Sequence, residues 1–464
     1  MKNLLIISFI ILFSACSSPE KKRIHIIYTT DEHGWFTDNE KADGAAALMH
    51  LWEEKEGFSL EADSFLVLSG GDMWTGASES TWFKGQSMFQ VMNAMGYDAA
   101  AIGNHEFDFS LDTLKARFQR SDFPYLAANI SYKNGAAADF ALPYVIKEVN
   151  GIKVALLGLA NTETPNTTMP SSVEDLVFKP YDETLKQYLP EIKAEGADLI
   201  IIVSHLCEDE MKAITPLAAQ YHIPLITGGH CHTQVMEEKD GVLMIETVPF
   251  LRSYIKVVLE YDPQSKNTEV LSYKVVENIS EQRNEDIAAL SQVWEDASEE
   301  GLKTPIGYTA KTIPQTSAEM YHMIMTSWLR QFPQADLAIT NAGSIRQDIE
   351  KGDISTGDIL GLMPFNNGLV QMKMSGKQIK DFIARLPEME EEYIWGGMTS
   401  QSTYEDAKTY EIITNDFLYA LHETHFKSYD PQAYNTGIIY REPLIDYIRS
   451  LNTSVNHPLD EISQ

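Results

Sequence analysis

The sequence predicts a mixed α/β protein with more than one domain. Short apolar runs typical of buried strands alternate along the chain with amphipathic stretches typical of helices. Several of the apolar runs end abruptly in a cluster of polar, chemically reactive side chains. The length of 464 residues and an apolar content of 44% are sufficient for two or three hydrophobic cores. Together these features favour an α/β sandwich with its functional groups at strand ends.

The first helices follow from apolar residues spaced three or four apart. One helix is predicted over residues 44–56 and a second over residues 87–95. The second carries a methionine-rich stripe, which we interpret as core packing and not as a cofactor site. Apolar strands are predicted further along the chain at 153–159, 242–247 and 254–261.

Polar clusters follow the apolar runs 24–30, 65–68, 99–102, 199–203 and 223–227. Because the carboxyl ends of neighbouring parallel strands share one edge of a sheet, we expect these clusters to meet. They contribute aspartates, an asparagine and histidines: Asp31, His33, Asp72, Asn104, His105, His205, His230 and His232. Imidazole nitrogen and carboxylate oxygen together suit Zn, Mn or Fe, and one carboxylate can bridge two ions. A single histidine is more often a core or surface residue, but this clustering beside acids indicates a metal centre.

In order, the clusters read D-E-H, G-G-D, G-N-H-E-F-D, S-H and G-G-H-C-H. This series resembles the calcineurin-like metallophosphoesterases and, more narrowly, the 5'-nucleotidase family. The resemblance covers nearly the whole chain after residues 1–16, which are predicted below to be a targeting segment. It implies an N-terminal four-layer α/β/β/α sandwich followed by a second, smaller α/β substrate-binding domain. It also implies a site for two divalent metal ions.

The resemblance assigns roles to nine residues of these clusters. His105 is implied as the catalytic histidine, with Asp108 as its orienting partner. Read alone, the Asn104–Asp108 segment would fit an Asn/Gly turn and a helix-capping acid equally well. The implied ligands are Asp31, His33 and His232 for one ion, Asn104, His205 and His230 for the other, and Asp72 as the bridge between them.

The second half of the chain has its own strand and helix signals. Strands are predicted at 336–340, 369–374 and 410–414, and a helix after Ser375 that ends near Pro387. We therefore expect a phosphoesterase domain over 24–276, a linker helix within 277–303 and a substrate-binding domain over 304–464. An apolar stripe along this helix is formed by Ile287, Leu290, Val293 and Trp294. The alternative is a helix that belongs wholly to the first domain.

Three motifs of this half, N-A-G-S-I-R, P-F-N-N and N-D-F, resemble the substrate-binding segments of the family. They imply that Asn341 and Arg346 contact the substrate and that Phe365 and Phe417 hold a base between them. A base stacked on an aromatic ring gains about 1–3 kcal/mol. Without the resemblance, each phenylalanine is more simply read as core packing.

Two departures from the family pattern bear on the substrate. Region 315–323 keeps only a glutamate of the expected Arg-x-x-Glu-like stretch, so one substrate arginine is missing. After N-D-F, the expected G-G-D-G is replaced by L-H-E-T, which puts Glu423 where a sugar-binding aspartate would stand. Both changes weaken the assignment to nucleoside monophosphates and leave the metal site untouched.

Residues 1–16 are predicted to be a targeting segment. Lys2 gives a positive start, and the apolar stretch 4–13 is short for a membrane span. The end F-S-A-C resembles a bacterial lipoprotein cleavage box, with Cys16 lipidated and residues 17–23 as a tether; an ordinary secretory signal peptide is the alternative. Either interpretation exports the protein, to the periplasm, outer membrane or cell surface of a bacterium.

Export permits disulfides, and Cys207 and Cys231 are the cysteines that remain. A bond between them is conceivable. Because side chains alternate along strands, we expect instead two buried free thiols on the far sides of their strands.

The charge balance limits the partners. With 36 Lys and Arg against 67 Asp and Glu, the net charge is -31, which repels polyanions and argues against a nucleic acid polymer. A small phosphorylated compound, with a nucleotide as the first choice, remains compatible because bound metals and a local arginine can reverse the field. Membrane contact is expected only through the N-terminal lipid, and oligomeric state has no signature in the sequence.

The leading hypothesis is an exported 5'-nucleotidase in which a hydroxide bridging two ions attacks the phosphorus. The altered motifs keep alternatives open within the same chemistry: a 2',3'-cyclic-nucleotide phosphodiesterase, a nucleotide-sugar hydrolase or another small phosphoester hydrolase. A sulfur-compound hydrolase on the same plan and a non-catalytic binding lipoprotein are further alternatives. Zn, Mn and Fe all suit the predicted ligands.

Overall fold

The structure, a computed structural model, describes residues 20–38, 42–389 and 391–462. The predicted targeting segment 1–16, its Cys16 and the start of the 17–23 tether lie outside the described residues. In the part of the chain that is described, no helix combines the length and apolarity needed to cross a membrane.

Two mixed sheets form the centre of the N-terminal domain. Its strands are β1 Lys22–Thr29, β2 Phe65–Ser69, β3 Ala99–Ala101, β4 Tyr125–Leu126, β5 Ile130–Tyr132, β6 Tyr144–Val149, β7 Ile152–Leu159, β8 Leu176–Phe178, β9 Leu199–Ser204, β10 Leu225–Thr227, β11 Val235–Lys239, β12 Val242–Glu246, β13 Ser253–Asp262 and β14 Asn267–Glu277. One six-stranded sheet has the order β14-β13-β1-β2-β3-β4, and the other has the order β11-β12-β10-β9-β7-β6. Their central strands run parallel.

Helices cover the outer face of each sheet. They are α1 Gly44–Glu56, α2 Ser78–Trp82, α3 Gln86–Met95, α4 Leu111–Phe118, α5 Thr164–Thr167, α6 Pro170–Val173, α7 Tyr181–Ala194 and α8 Glu208–Gln220. The alternation along β1 shows how the layers form: Ile26 packs between the two sheets, whereas Ile27 packs outward against the helices. The resulting order of layers is the predicted α/β/β/α sandwich.

The methionine-rich stripe of α3 is core, as predicted. Met88, Met92 and Met95 are fully buried and pack with α1 against the first sheet. On the other side of the sandwich, α7 and α8 pack against the second sheet. The three methionines are therefore part of the hydrophobic core and do not form a cofactor site.

A second, smaller sheet forms the C-terminal domain. Its strands are β15 Pro305–Thr309, β16 Leu337–Asn341, β17 Gly352–Ser355, β18 Gly368–Ser375, β19 Tyr393–Gly397, β20 Thr409–Asn415 and β21 Tyr434–Ile439. The strand order is β19-β16-β20-β18-β21, with β15 and β17 paired separately. A hydrophobic cluster lies on each face of the sheet, so this domain is a three-layer α/β/α unit.

Between these sheets runs α9 Glu285–Leu302, and after it come α10 Ala318–Gln331, α11 Thr356–Leu362, α12 Gly376–Arg385, α13 Asp416–Ala420, α14 Phe426–Tyr429, α15 Glu442–Ser450 and α16 Leu459–Ile462. The predicted linker helix starts later than residue 277, because that residue still ends β14. Asn284 caps α9 by accepting a hydrogen bond from the Ile287 amide at 3.1 Å. Of the apolar stripe along α9, Ile287 is buried, but Val293 is 61% exposed. The helix packs against α1 and α3 of the first domain and against α11 of the second.

Candidate active site

The polar clusters meet at the carboxyl ends of parallel strands. Asp31 and His33 follow β1, Asp72 follows β2, and Asn104 follows β3 of the first sheet. His205 follows β9 of the second sheet, and the G-G-H-C-H segment follows β10. The two sheets thus deliver their polar groups to one shared edge.

Three sets of ligand atoms converge there, each with all its atoms within 4.8 Å of one another. The His33 and His232 Nε2 atoms are 3.1 Å apart, and the His205 Nε2 atom lies 3.0 Å from Asp72 Oδ2. Asp72 belongs to two of the sets, as a bridging carboxylate would. The sets are Asp31, His33 and His232; His33, Asp72 and His105; and Asp72, His205 and His230.

Most of these residues hold a backbone conformation that side chains rarely adopt. A positive φ in a residue other than glycine costs on the order of 1–3 kcal/mol and occurs where the surroundings impose it, often at functional sites. Spacing in the sequence gives no sign of this strain. The positive-φ residues of the cluster are Asp31 at 51°, His33 at 47°, Asp72 at 57°, His230 at 76° and His232 at 55°.

Backbone carbonyls orient two of the imidazoles. The Nδ1 atom of His33 donates to the Thr75 carbonyl at 2.5 Å, and that of His205 donates to the Gly70 carbonyl at 2.8 Å. A carbonyl can only accept, so each Nδ1 carries a proton, and each Nε2 faces the cluster, where it can bind an ion. This is the usual arrangement of metal-binding histidines.

Asn104 gives the most direct indication of a cation. Its Nδ2 atom donates to the Thr167 carbonyl at 3.2 Å. Its Oδ1 atom is buried and has no hydrogen-bond partner among the described residues. An unpaired buried oxygen beside histidines and carboxylates fits a divalent ion, and the nitrogen and oxygen donors here suit a pair of them.

His105 and Asp108 form a hydrogen-bonded pair beside the cluster. His105 Nδ1 donates to Asp108 Oδ2 at 2.7 Å, and Thr168 donates to the other carboxylate oxygen at 3.3 Å. Burial disfavours the charged ring, but the carboxylates of Asp108 and Asp72 outweigh it and raise the pKa of His105. The Nε2 side of the ring is left to face a reacting group.

Sequence reasoning missed Glu106, which supports the loops that carry the cluster. Its buried carboxylate accepts backbone hydrogen bonds from Asp72 at 2.9 Å, Met73 at 2.7 Å and Gly103 at 2.8 Å. A Cβ at Gly103 would lie 2.1 Å from Asp72 Oδ1, so only glycine fits there. The available signal in the sequence is the position of this glutamate within the motif G-N-H-E-F-D, between the proposed catalytic residues His105 and Asp108.

The prediction of two free thiols is wrong, because Cys207 and Cys231 form a disulfide with Cα atoms 5.4 Å apart. The argument from alternation fails because neither residue lies in a strand: β9 ends at Ser204 and β10 ends at Thr227. The bond joins the loop after His205 to the residue between His230 and His232. Cys231 is exposed and lines the cavity between the cluster and the C-terminal domain.

A cavity of about 640 Å³ extends from the cluster to the C-terminal domain. Four of the five predicted substrate-binding residues line it: Asn341, Arg346, Phe365 and Phe417. Arg346 is the single lysine or arginine among the described residues of this lining. Phe365 stacks on His105 with ring centroids 5.6 Å apart and an angle of 13°.

Glu423, the fifth predicted residue, does not belong to the lining. It is exposed, and its Oε1 atom accepts a hydrogen bond from the Tyr393 hydroxyl at 3.1 Å. The carboxylates that do line this end of the cavity are Glu391 and Asp416, neither of which was predicted. Glu391 lies in an acidic run that contains no motif, so no sequence signal singles it out.

Two further features of the cavity were also missed. The segment after β7 lines it through Thr167, Thr168, Met169, Ser171 and Ser172. A polar break directly after an apolar strand, as at the metal-binding loops, was the available signal. Arg441 supports the opposite wall, since it donates to the Phe365 carbonyl at 2.6 Å and to Asn366 Oδ1 at 2.8 Å.

Comparison with known proteins agrees with this organisation. The profile of the calcineurin-like phosphoesterases matches residues 24–234, and that of the 5'-nucleotidase C-terminal domain matches residues 301–404. A 5'-nucleotidase of Vibrio cholerae is 27% identical over 512 residues, which covers 94% of this chain and 91% of that protein.

Solved structures share the fold at lower identity. A 5'-nucleotidase precursor of Thermus thermophilus superposes with a TM-score of 0.77 at 18% identity, covering 93% of this chain and 97% of that one. The sulfate thiohydrolase SoxB of Thermus thermophilus gives 0.74 at 16% identity, covering 94% and 96%. The two profiles, the relatives and the ligand cluster agree: this chain combines a calcineurin-like phosphoesterase domain with a 5'-nucleotidase C-terminal domain, and it is a metal-dependent phosphoric ester hydrolase whose ligands are positioned for two divalent ions.

Proposed function

We propose that the protein is a 5'-nucleotidase that releases phosphate from nucleoside monophosphates. This proposal rests on one continuous cavity, which joins the cluster of metal-ligand residues to Arg346 and to the rings of Phe365 and Phe417. Such a cavity offers a place for a phosphate at one end and for a planar base at the other. The Vibrio cholerae relative that aligns over nearly the whole chain bears the name 5'-nucleotidase.

Two of the three converging sets support the ligand roles, and the unpaired Asn104 oxygen adds one further ligand. Asp31, His33 and His232 would hold one ion and Asn104, His205 and His230 the other, with Asp72 shared between them. When bound, the two ions supply an activated water and neutralise the phosphoryl oxygens. The carbonyl-anchored imidazoles hold their Nε2 atoms at the site before any ion arrives, which lowers the cost of assembling it.

The chain's own groups would act on the charge that develops during phosphoester cleavage. His105, held by Asp108, is positioned to stabilise the phosphoryl group or to give a proton to the departing oxygen. Arg346 would hold the phosphate as a charge-assisted donor. The two phenylalanines would orient the nucleoside, and remote binding of this kind assists the chemistry by fixing the geometry.

Export and domain boundaries belong to the same proposal. The apolar segment before Cys16 supports export with a lipid anchor at that cysteine, in the periplasm or at the bacterial surface, and the disulfide is compatible with an oxidising compartment. The boundaries 24–276, 277–303 and 304–464 agree with the position of α9 between the two groups of sheets.

A second candidate is hydrolysis of a different small phosphoester, such as a 2',3'-cyclic nucleotide or a nucleotide sugar. Two observations favour it: region 315–323 lacks an arginine, and Glu423 lies outside the cavity. Both concern the C-terminal wall, so this candidate shares the metal chemistry and differs only in the leaving group.

The test is hydrolysis of a panel of compounds by the purified protein with added Mn²⁺ or Zn²⁺, in which free phosphate and the nucleotide products are measured separately. The panel contains AMP, GMP, UMP, UDP-glucose, 2',3'-cyclic AMP and p-nitrophenyl phosphate, and the His105→Ala variant is the control. Release from the nucleoside monophosphates that His105→Ala loses is the expected result. Hydrolysis only of the cyclic nucleotide to a 2'- or 3'-monophosphate, of UDP-glucose to UMP and glucose 1-phosphate, or of p-nitrophenyl phosphate would reject the proposal in favour of the second candidate.

A further inference from the structure

The C-terminal wall of the cavity carries hydrogen-bond acceptors that lack a donor. Asn341 Oδ1 and Asp416 Oδ1 are buried and have no partner among the described residues. Both residues line the cavity, and so does Glu391. Because an unpaired buried acceptor is costly, this wall fits the part of a substrate that brings several hydroxyl or amino groups.

Glu391 lies next to the place assigned to the phosphate. Its Oε2 atom accepts a hydrogen bond from Asn341 Nδ2 at 3.4 Å, and a Cβ added at Gly343 would lie 3.1 Å from its Oε1 atom. The carbonyl of the same glycine accepts a hydrogen bond from Arg346 at 3.5 Å. In a nucleoside 5'-monophosphate a single methylene joins the phosphate oxygen to the ribose ring. A phosphate on Arg346 therefore puts the ribose beside Glu391.

The chemistry of a carboxylate suits a ribose with both hydroxyl groups free. Each oxygen can accept one hydroxyl of a vicinal diol, and both hydrogen bonds are charge-assisted. A substrate that lacks one hydroxyl leaves a partly buried carboxylate oxygen without its donor. A 2',3'-cyclic phosphate has no diol and brings negative charge towards Glu391 and Asp416, which repel it.

We propose that Glu391 recognises the ribose hydroxyls, so that the substrate class is ribonucleoside 5'-monophosphates with a free 2',3'-diol. The inference rests on the 5'-nucleotidase activity proposed above. It assigns sugar recognition to the segment between α12 and β19, and not to Glu423 in the loop after Phe417. Glu423 is exposed and is already bonded to the Tyr393 hydroxyl.

The experiment compares kcat/KM for AMP, 2'-deoxy-AMP and 3'-deoxy-AMP. The unaltered protein is expected to prefer AMP over each deoxy analogue by about 10- to 100-fold, as for a hydrogen bond to a charged group. Glu391→Gln is expected to bring that preference to within about 3-fold. Gly343→Ala, which crowds the Glu391 carboxylate without changing charge, is expected to reduce it in the same direction. Glu392→Gln is the matched control, because Glu392 is the next residue and is exposed.

Three outcomes would overturn the inference. If the unaltered protein hydrolyses AMP and both deoxy analogues equally well, Glu391 does not recognise the hydroxyls, although the 5'-nucleotidase proposal stands. If Glu423→Gln abolishes the preference and Glu391→Gln keeps it, the recognition lies at Glu423. If the protein hydrolyses p-nitrophenyl phosphate but no nucleoside monophosphate, both the inference and the proposed function fail.

Discussion

Glu106 offers the sharpest test of how the metal-binding loops are held. Its buried carboxylate accepts the backbone amides of Asp72, Met73 and Gly103, at 2.7 to 2.9 Å. In Glu106→Ala these amides lose their acceptor, and each unsatisfied buried donor costs about 1–3 kcal/mol. Taking the lower figure for each amide, the free energy of unfolding falls by about 3 kcal/mol. Glu106→Gln keeps one acceptor oxygen and is expected to lose about half as much.

Urea unfolding of the metal-free protein in chelator measures this loss without a contribution from bound ions. Metal competition with a fluorescent chelator gives the second readout, and a 10- to 100-fold loss of affinity is typical when a supporting residue is removed. Glu238→Ala, an exposed glutamate on β11, is the matched control and should change stability by less than about 0.5 kcal/mol. If Glu106→Ala behaves like Glu238→Ala in both measurements, the carboxylate does not hold the loops and the reasoning is wrong.

Two further predictions concern the disulfide and a buried lysine. The disulfide can be removed by a phosphine or by the double change Cys207→Ser and Cys231→Ser. Because it closes a sequence separation of 24 residues, its loss should lower stability by about 3 kcal/mol. Its loss should also weaken metal binding, and unchanged metal affinity in competition assays would contradict this. Burial lowers the pKa of Lys256 to about 8 from its usual 10.5, so the folded state binds its proton less readily than the unfolded state. Stability should therefore rise between about pH 8 and pH 10.5 and be lowest below that range. In urea unfolding, Lys256→Met should raise stability at pH 7 by about 1–2 kcal/mol and remove the rise of stability with pH. The exposed control Lys377→Met should do neither. If Lys256→Met keeps the rise, Lys256 is not its origin.

Much of the fold could be predicted from local pattern. The helix predicted over 44–56 and the strands near 153–159 and 410–414 appear within a residue or two of their expected bounds. In each, hydrophobic periodicity and burial agree, because the element forms a layer of a core. Where an element meets solvent on several sides the pattern fails, as at Val293 on α9, which looked like part of an apolar stripe and is exposed.

The residues of the candidate site divide in the same way. Asp31, His33 and the other strand-end residues could be named because each directly follows an apolar run. Glu391 could not, since the contacts that bring it to the cavity, with Asn341 and Gly343, come from segments about 50 residues away in the chain. The Cys207–Cys231 bond was missed for a related reason: the alternation rule applies within strands, and both cysteines lie in loops.

The backbone strain of the cluster was also invisible in the sequence. Asp and His adopt a positive φ more often than most residues other than glycine, but nothing in the sequence singles out Asp72, His230 or His232 for it. It arises because hydrogen bonds from distant segments over-determine these loops, such as the His230 amide that donates to Asp31 Oδ1 at 3.1 Å. Such constraints are properties of the assembled site.

The central claim is that two divalent ions at this cluster drive phosphoester hydrolysis. The most direct measurement adds Mn²⁺ stepwise to the metal-free protein and records bound metal per chain together with phosphate release from AMP. With two ions required, phosphate release should stay low at the first equivalent and reach its maximum only when two ions are bound per chain. Full activity with one ion, or activity that persists in excess chelator, would contradict it.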